Sequence, residues 1–127
     1  MRGRVHIEFG GRDHSLLPTY EVAEQFEARH GGIVDHYEKL NNGSAPMQVR
    51  AYLILLALKQ GEGGDKFTLQ GVMKAMFEFG LWHGDLVRKE NELIEGLIYT
   101  PEQLLAKKEE EKAAMKIASE ALGVFSE

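Results

Sequence analysis

The chain contains no cysteine, which excludes disulfide bonds, thiolate nucleophiles and cysteine-ligated zinc. It also lacks a basic region: its net charge is −5 and the acidic excess is spread along the chain, so a nucleic-acid partner is not expected. The apolar run at residues 51–58 is too short to cross a bilayer, and residues 1–9 lack the apolar segment of a secretory signal. No membrane partner is therefore expected, and the composition is compatible with the cytoplasm.

What the chain does have is enough length and apolar content for one packed domain. Its 127 residues are 43% hydrophobic and 28% charged, an ordinary balance for a soluble protein. Residues 46–60, PMQVRAYLILLALKQ, are rich in helix-favouring Leu, Ala and Met, with Pro46 near the start and Gly61 as the expected stop. A helix that is apolar on every side needs neighbours on every side. This segment predicts the central helix of the core.

The first residues alternate between apolar and polar side chains. Val5, Ile7 and Phe9 fall on one face, as in a half-buried strand. Gly10 and Gly11 suit a tight turn, and residues 12–17 would return as the second strand. We therefore predict a β-hairpin at residues 4–17 that packs on the helices, because an isolated hairpin is only marginally stable.

Helical periodicity and capping signals account for most of the remaining chain. Thr19, Thr68, Asp85 and Thr100 are the expected N-caps. The helices are predicted at residues 20–30, 33–40, 69–79, 86–99 and 101–122. Their expected apolar stripes are Tyr20, Ala23 and Phe26, with Val22 beside them; Ile33, Tyr37 and Leu40; and Leu69, Val72, Met73, Met76 and Phe77.

The predicted class is mainly α (α+β): an N-terminal β-hairpin followed by about six helices packed around a central apolar helix. Residues 1–100 would form a single globular domain. Residues 101–127 would form a charged C-terminal helix, loosely attached to that domain.

No motif in the sequence predicts an active site. Five histidines are present, but none has metal-ligand spacing, and no nucleophile elbow, phosphate-binding loop or dinucleotide fingerprint occurs. We therefore predict no catalytic, cofactor-binding or metal-binding residues, and a protein that is not an enzyme.

The C-terminal segment carries the strongest indication of a partner. A mixed-charge run at residues 107–112 is followed by Met115, Ala118, Leu122 and Phe125, at spacings of 3, 4 and 3. Such spacing makes a narrow apolar seam along a helix, suited to a partner helix. We predict that these four residues bind a partner; the alternative is that the helix folds back on its own domain.

The N-terminal string RGRVHIEFGGRDHSLLPTYE, residues 2–21, resembles the opening of phage tail assembly chaperones of the gene-transfer-agent type. In that family a strand, a glycine-rich turn and a second strand lead to L-x-P-T-aromatic-E. A glutamate-bearing helix with a glycine stop follows, matched here by Glu24, Glu27 and the Gly31-Gly32 pair. The resemblance covers about residues 2–98 and is specific over the first thirty or so.

This resemblance implies a non-enzymatic assembly function in a phage, prophage or gene transfer agent. Proteins of the family are thought to keep the long apolar helices of the tape measure protein soluble and to help recruit tail tube subunits. The implied location is the cytoplasm of the bacterial host, and the implied partners are the tape measure protein and the tail tube subunits. The sequence is also compatible with a homo-oligomer.

The main alternative is a small helical nucleic-acid-binding or regulatory protein, because two helices within residues 69–99 resemble a helix-turn-helix in their order. The second of them carries Asp85, Glu90, Glu92 and Glu95 against Arg88 and Lys89. A recognition helix that faces phosphates should be basic, which argues against this alternative. A small enzyme would need a pocket with converging histidines or carboxylates.

Overall fold

A computed structural model describes residues 3–63 and 66–125, with no side chains described for residues 118–125. Over these ranges the chain forms a two-stranded antiparallel hairpin followed by six helices, which confirms the predicted class. The strands are β1 (Val5–Phe9) and β2 (Arg12–Leu16). The helices are α1 (Tyr20–His30), α2 (Ile33–Asn41), α3 (Met47–Glu62), α4 (Leu69–Phe79), α5 (Gly84–Ile98) and α6 (Pro101–Phe125).

The hairpin has the predicted turn and the predicted buried face. Gly10 and Gly11 have φ of 59° and 77°, the left-handed torsions that a two-residue hairpin turn requires. Val5, Ile7 and Phe9 are each at most 7% exposed. They pack towards α4 and α5, while β2 lies along α3. The helices thus supply the support that the hairpin needs.

Helix α3 occupies the centre, as predicted, and contacts α1, α4 and β2. Every residue from 50 to 58 is buried except the half-buried Tyr52. The expected stop at Gly61 is wrong, because α3 continues to Glu62 and is capped by Gly63 at φ 73°. Gly61 serves a different purpose: a Cβ there would lie 2.1 Å from the Ser15 carbonyl oxygen, so the glycine permits α3 to approach β2.

Two of the predicted apolar stripes are wider than the faces that are actually buried. Tyr20 and Phe77 are 72% and 71% exposed. Helix α1 instead buries Val22 and Phe26, one ridge with a spacing of four, and α4 likewise buries Val72 and Met76. In α2 the predicted Ile33 and Leu40 are buried and Tyr37 is half-buried, but His36 between them is buried too, which the stripe did not include.

Three of the four predicted caps are confirmed. The Thr19 and Thr68 side chains accept hydrogen bonds from Val22 N at 3.3 Å and Gly71 N at 3.0 Å. The third, Thr100, accepts a hydrogen bond from Gln103 N at 3.2 Å at the start of α6. Asp85 is not a cap: α5 begins at Gly84, and His83 Nδ1 accepts from Asp85 N at 3.1 Å. The imidazole takes the capping role expected of the carboxylate, which instead lies in the first turn.

Candidate partner-binding surface

Helix α6 begins at a reciprocal cap built by two side chains. Thr100 N donates to Gln103 Oε1 at 2.9 Å, and Gln103 N donates to Thr100 Oγ1 at 3.2 Å. This is the capping-box arrangement, and Pro101 occupies the first helical position, where its missing N–H costs nothing. The sequence T-P-E-Q therefore fixes both the start and the initial direction of α6.

The first turns of α6 are held by a small polar junction centred on Glu95 of α5. Tyr37 of α2 donates its hydroxyl to Glu95 Oε1 at 2.9 Å, and Lys107 Nζ lies 3.8 Å from the same oxygen. Burial and the hydrogen bond to the carboxylate raise the pKa of Tyr37 to about 12, so the phenol stays a donor. Lys107 Nζ also lies 5.1 Å from the centre of the Tyr99 ring. These contacts anchor α6 to α2 and α5.

Beyond this junction α6 has little contact with the domain. Among residues 101–117 only Leu104 and Lys107 are half-buried, and the others are exposed. Leu105, Met115 and Ile117 are 60%, 72% and 68% exposed. On an α-helix Ile117 lies about 200° and Leu105 about 80° around the axis from Met115, so the three apolar side chains point to different sides. Of these three, Met115 lies on the predicted seam.

Of the four predicted partner-binding residues, Met115 is the one with a described side chain, and that side chain is exposed. Met115 lies eleven residues after Leu104, about three helical turns, and so continues the face that docks on α5. Ala118, Leu122 and Phe125 lie within the helical backbone of α6, but their side chains are outside the described residues. The seam that joins them to Met115 remains a prediction. Exposed Leu105 and Ile117 were missed because they fall off the 3-4 spacing.

The exposed aromatic side chain of Trp82 lies against a buried ion pair. Arg50 Nε and Nη2 donate to the two carboxylate oxygens of Glu90 at 2.9 and 2.5 Å, and Nη2 also donates to the Leu81 carbonyl at 2.6 Å. The guanidinium carbon lies 4.3 Å from the centre of the Trp82 ring. Burial raises the pKa of Glu90, and the hydrogen bonds from Arg50 oppose that shift. The pair joins α3 to α5 and fixes the turn that carries Trp82.

The histidines lie at separate places in the fold, each with its own neighbours. His14 Nδ1 lies 3.0 Å from Glu62 Oε1, and His6 Nδ1 lies 3.5 Å from Asp13 Oδ2. Burial, reinforced by the nearby Arg50 charge, lowers the pKa of His36 to about 4, and its ring lies 5.1 Å from that of Phe26. Within residues 3–63 and 66–125, no three histidine or carboxylate side chains converge as metal ligands would.

Helix α5, the second helix of the pair that suggested a helix-turn-helix, carries its cations beside acids. Arg88 lies 3.4 Å from Asp85 and 3.9 Å from Glu92, and Lys89 lies 3.7 Å from Glu92. These exposed pairs offset the positive charge that a phosphate backbone would need to meet. The geometry of α5 therefore does not favour the nucleic-acid alternative.

Two of the grooves on the described surface are open and of mixed charge. One of about 520 Å³ is lined by Glu8, Glu78, Asp85, Arg88 and Lys89, together with Ile7, Gly10, Gly11, Ala75 and Phe79. Another of about 900 Å³ lies between the open end of the hairpin and the start of α6. Neither groove has the apolar lining with a few converging polar groups that small-molecule sites commonly show.

A comparison of the chain with protein-family models, curated proteins and solved structures finds no match. None of the described helices combines the length and apolar character that crossing a membrane requires.

Proposed function

We propose that this protein is a non-enzymatic phage or prophage tail assembly chaperone, and that α6 binds apolar helices of the tape measure protein. The observation that carries the proposal is the exposure of Met115, at 72%, on a helix whose described side chains meet the domain only near its start. The resemblance of residues 2–21 to the gene-transfer-agent type of tail chaperone supplies the identity of the client. The protein would act in the cytoplasm of the bacterial host.

In this proposal α6 shields client helices by packing along them. The predicted seam from Met115 to Phe125 has the 3-4 spacing that lets one helix pack side by side with another. Burying Leu122 and Phe125 would contribute roughly 1.5–3 kcal/mol each before the cost of ordering the partners. These contributions are large enough to matter for binding but too small to hold a complex alone.

The test is co-expression with a tape measure protein, which the proposal expects to be encoded beside the gene, reading out how much client stays soluble and co-purifies. Met115→Glu places a charge on the seam and should lower recovery of the client severalfold. Lys116→Gln is the matched control, because it changes the net charge by the same −1 at an adjacent exposed position off the seam. It should leave recovery unchanged.

Equal recovery with both variants would contradict the proposal, since the seam would then play no part in binding. Client that stays soluble without the chaperone would contradict it as well.

A further inference from the structure

The two edges of the hairpin differ in what covers them. On the outer edge of β2, Ser15 N donates to Glu62 Oε1 at 2.9 Å, and just beyond the strand Leu17 N donates to the Ala57 carbonyl at 3.1 Å. Both acceptors belong to α3. The end of the central helix therefore satisfies the backbone donors that β2 turns away from β1.

The outer edge of β1 has no such cover in the described chain. Phe9 and Arg12 flank the two-residue turn, so they form a hydrogen-bonded pair, and the pattern then alternates along the register. The N–H and C=O groups of His6 and Glu8 consequently point away from β2. Within the described residues these groups have no backbone or side-chain partner, and an open groove of about 520 Å³ adjoins Ile7 and Glu8.

We propose that this open edge pairs with β1 of a second copy of the chain, in an antiparallel register centred on Ile7. An open row of backbone donors and acceptors is a template for strand addition. In this register His6 of each copy lies opposite Glu8 of the other. The carboxylate of Glu8, which has no ion-pair partner among the described residues, gains one.

The residues that would face each other favour this register over the other possible pairings of two β1 strands. A parallel in-register pairing sets Glu8 against Glu8 and His6 against His6, and antiparallel registers centred on Val5 or Glu8 also oppose like charges. Registers shifted by one residue put the buried face of one strand on the exposed side of the other. A register centred on His6 would need Arg4, which already donates to Ser15 Oγ at 3.1 Å and the Gly61 carbonyl at 2.9 Å.

A second copy satisfies the edge better than an unrelated extended segment, because a two-fold axis brings the His6 imidazole of each copy opposite the Glu8 carboxylate of the other, a pair that can hydrogen-bond. The contact involves few residues, so the dimer should be weak, with dissociation in the range of about 10 µM to 1 mM. Sedimentation velocity of the full chain across that range should show a monomer–dimer equilibrium.

The decisive experiment exchanges charge between the two positions. Glu8→Arg alone should weaken the dimer about tenfold or more, because the introduced guanidinium then faces His6 of the other copy. His6→Glu alone should weaken it in the same way, because two acids then face each other. An equimolar mixture of the two variants should regain wild-type association, since every facing pair in the mixed dimer is again of opposite sign.

Two controls separate this surface from α6 and from loss of folding. Met115→Glu should leave the dimer unchanged, and Glu8→Arg should keep the wild-type unfolding midpoint because Glu8 is exposed. His6→Glu places a second carboxylate beside Asp13, 3.5 Å from His6 in the wild-type chain, and should lower the midpoint only slightly because both positions are exposed. A wild-type chain that stays monomeric to about 1 mM, a mixture that fails to associate, or a dimer lost with Met115→Glu would each overturn the proposal.

Discussion

At the scale of single residues, the contact between Arg50 and Glu90 shows what a local sequence pattern leaves out. The two residues are forty positions apart, and each is at most 2% exposed. Glu90 lies four residues after Leu86 and three before Leu93, on the buried face of α5, while Glu92 and Glu95 remain partly accessible. The local pattern does not show that the partner of Glu90 is Arg50 of α3.

Removing one partner of this pair should destabilise the fold strongly. Arg50→Met leaves Glu90 buried and uncompensated, which should lower the free energy of unfolding by about 3–5 kcal/mol in urea denaturation. Arg50→Met with Glu90→Leu should recover much of that loss. Arg88→Met is the matched control, because Arg88 has only exposed ion pairs and should cost no more than about 1 kcal/mol. A single variant as stable as wild type would show that the pair is not buried.

Phe9 should be the residue on which attachment of the hairpin depends. Its ring is 7% exposed and meets Phe79 edge-on with centroids 6.3 Å apart. Phe9→Ala should lower the free energy of unfolding by about 3–5 kcal/mol. Arg12→Ala, directly opposite in the register but exposed, should change it by no more than about 0.5 kcal/mol. An unchanged unfolding midpoint for Phe9→Ala would mean that the buried face is assigned wrongly.

His36 should make stability fall as the solution is acidified. Its pKa is about 4 in the folded chain, below the usual value of 6.5, so between these values the unfolded chain binds more protons. Stability should therefore rise with pH across this window, with a slope from His36 of at most about 1.4 kcal/mol per pH unit. His36→Leu should remove that part of the pH dependence. A slope that is the same in both proteins would refute the assignment.

At the scale of elements, the sequence was sufficient wherever the signal is local. The Gly10-Gly11 turn, the alternation before it and the caps at Thr19 and Thr68 each depend on residues within a few positions, and each is confirmed. The errors concern which side of an element meets its neighbours. Tyr20 and Phe77 lie on the margin of an apolar stripe, and the width of the buried ridge is set by the packing partner.

Helix α3 should be the most protected element of the chain. Its residues from 53 to 58 are all at most 7% exposed, and strands and helices surround them. Amide hydrogens of residues 51–58 should therefore exchange only through global unfolding. Amides of residues 108–117 in α6, where every side chain is exposed, should exchange much faster. Fast exchange in α3 would contradict its central position.

At the scale of the whole molecule, the candidate surface was only partly predictable. The Thr100-Pro101 break and the seam after residue 112 are visible in the sequence, because capping and helical spacing are local. The Glu95 junction with Tyr37 and Lys107 joins three helices and could not be read from any one of them. Which edge of the hairpin is covered likewise depends on a distant element, because the end of α3 lies against β2.

The most direct test of the central claim is binding of the tape measure protein to a chain that lacks residues 101–127. Because α6 is anchored mainly through Lys107 and Leu104, we expect the shortened chain to keep a cooperative unfolding transition and its hairpin. The affinity of this chain for the client, measured by titration against the full chain, should fall at least about tenfold. Undiminished affinity in a folded truncated chain would contradict the account, and so would loss of folding, which would make α6 part of the core.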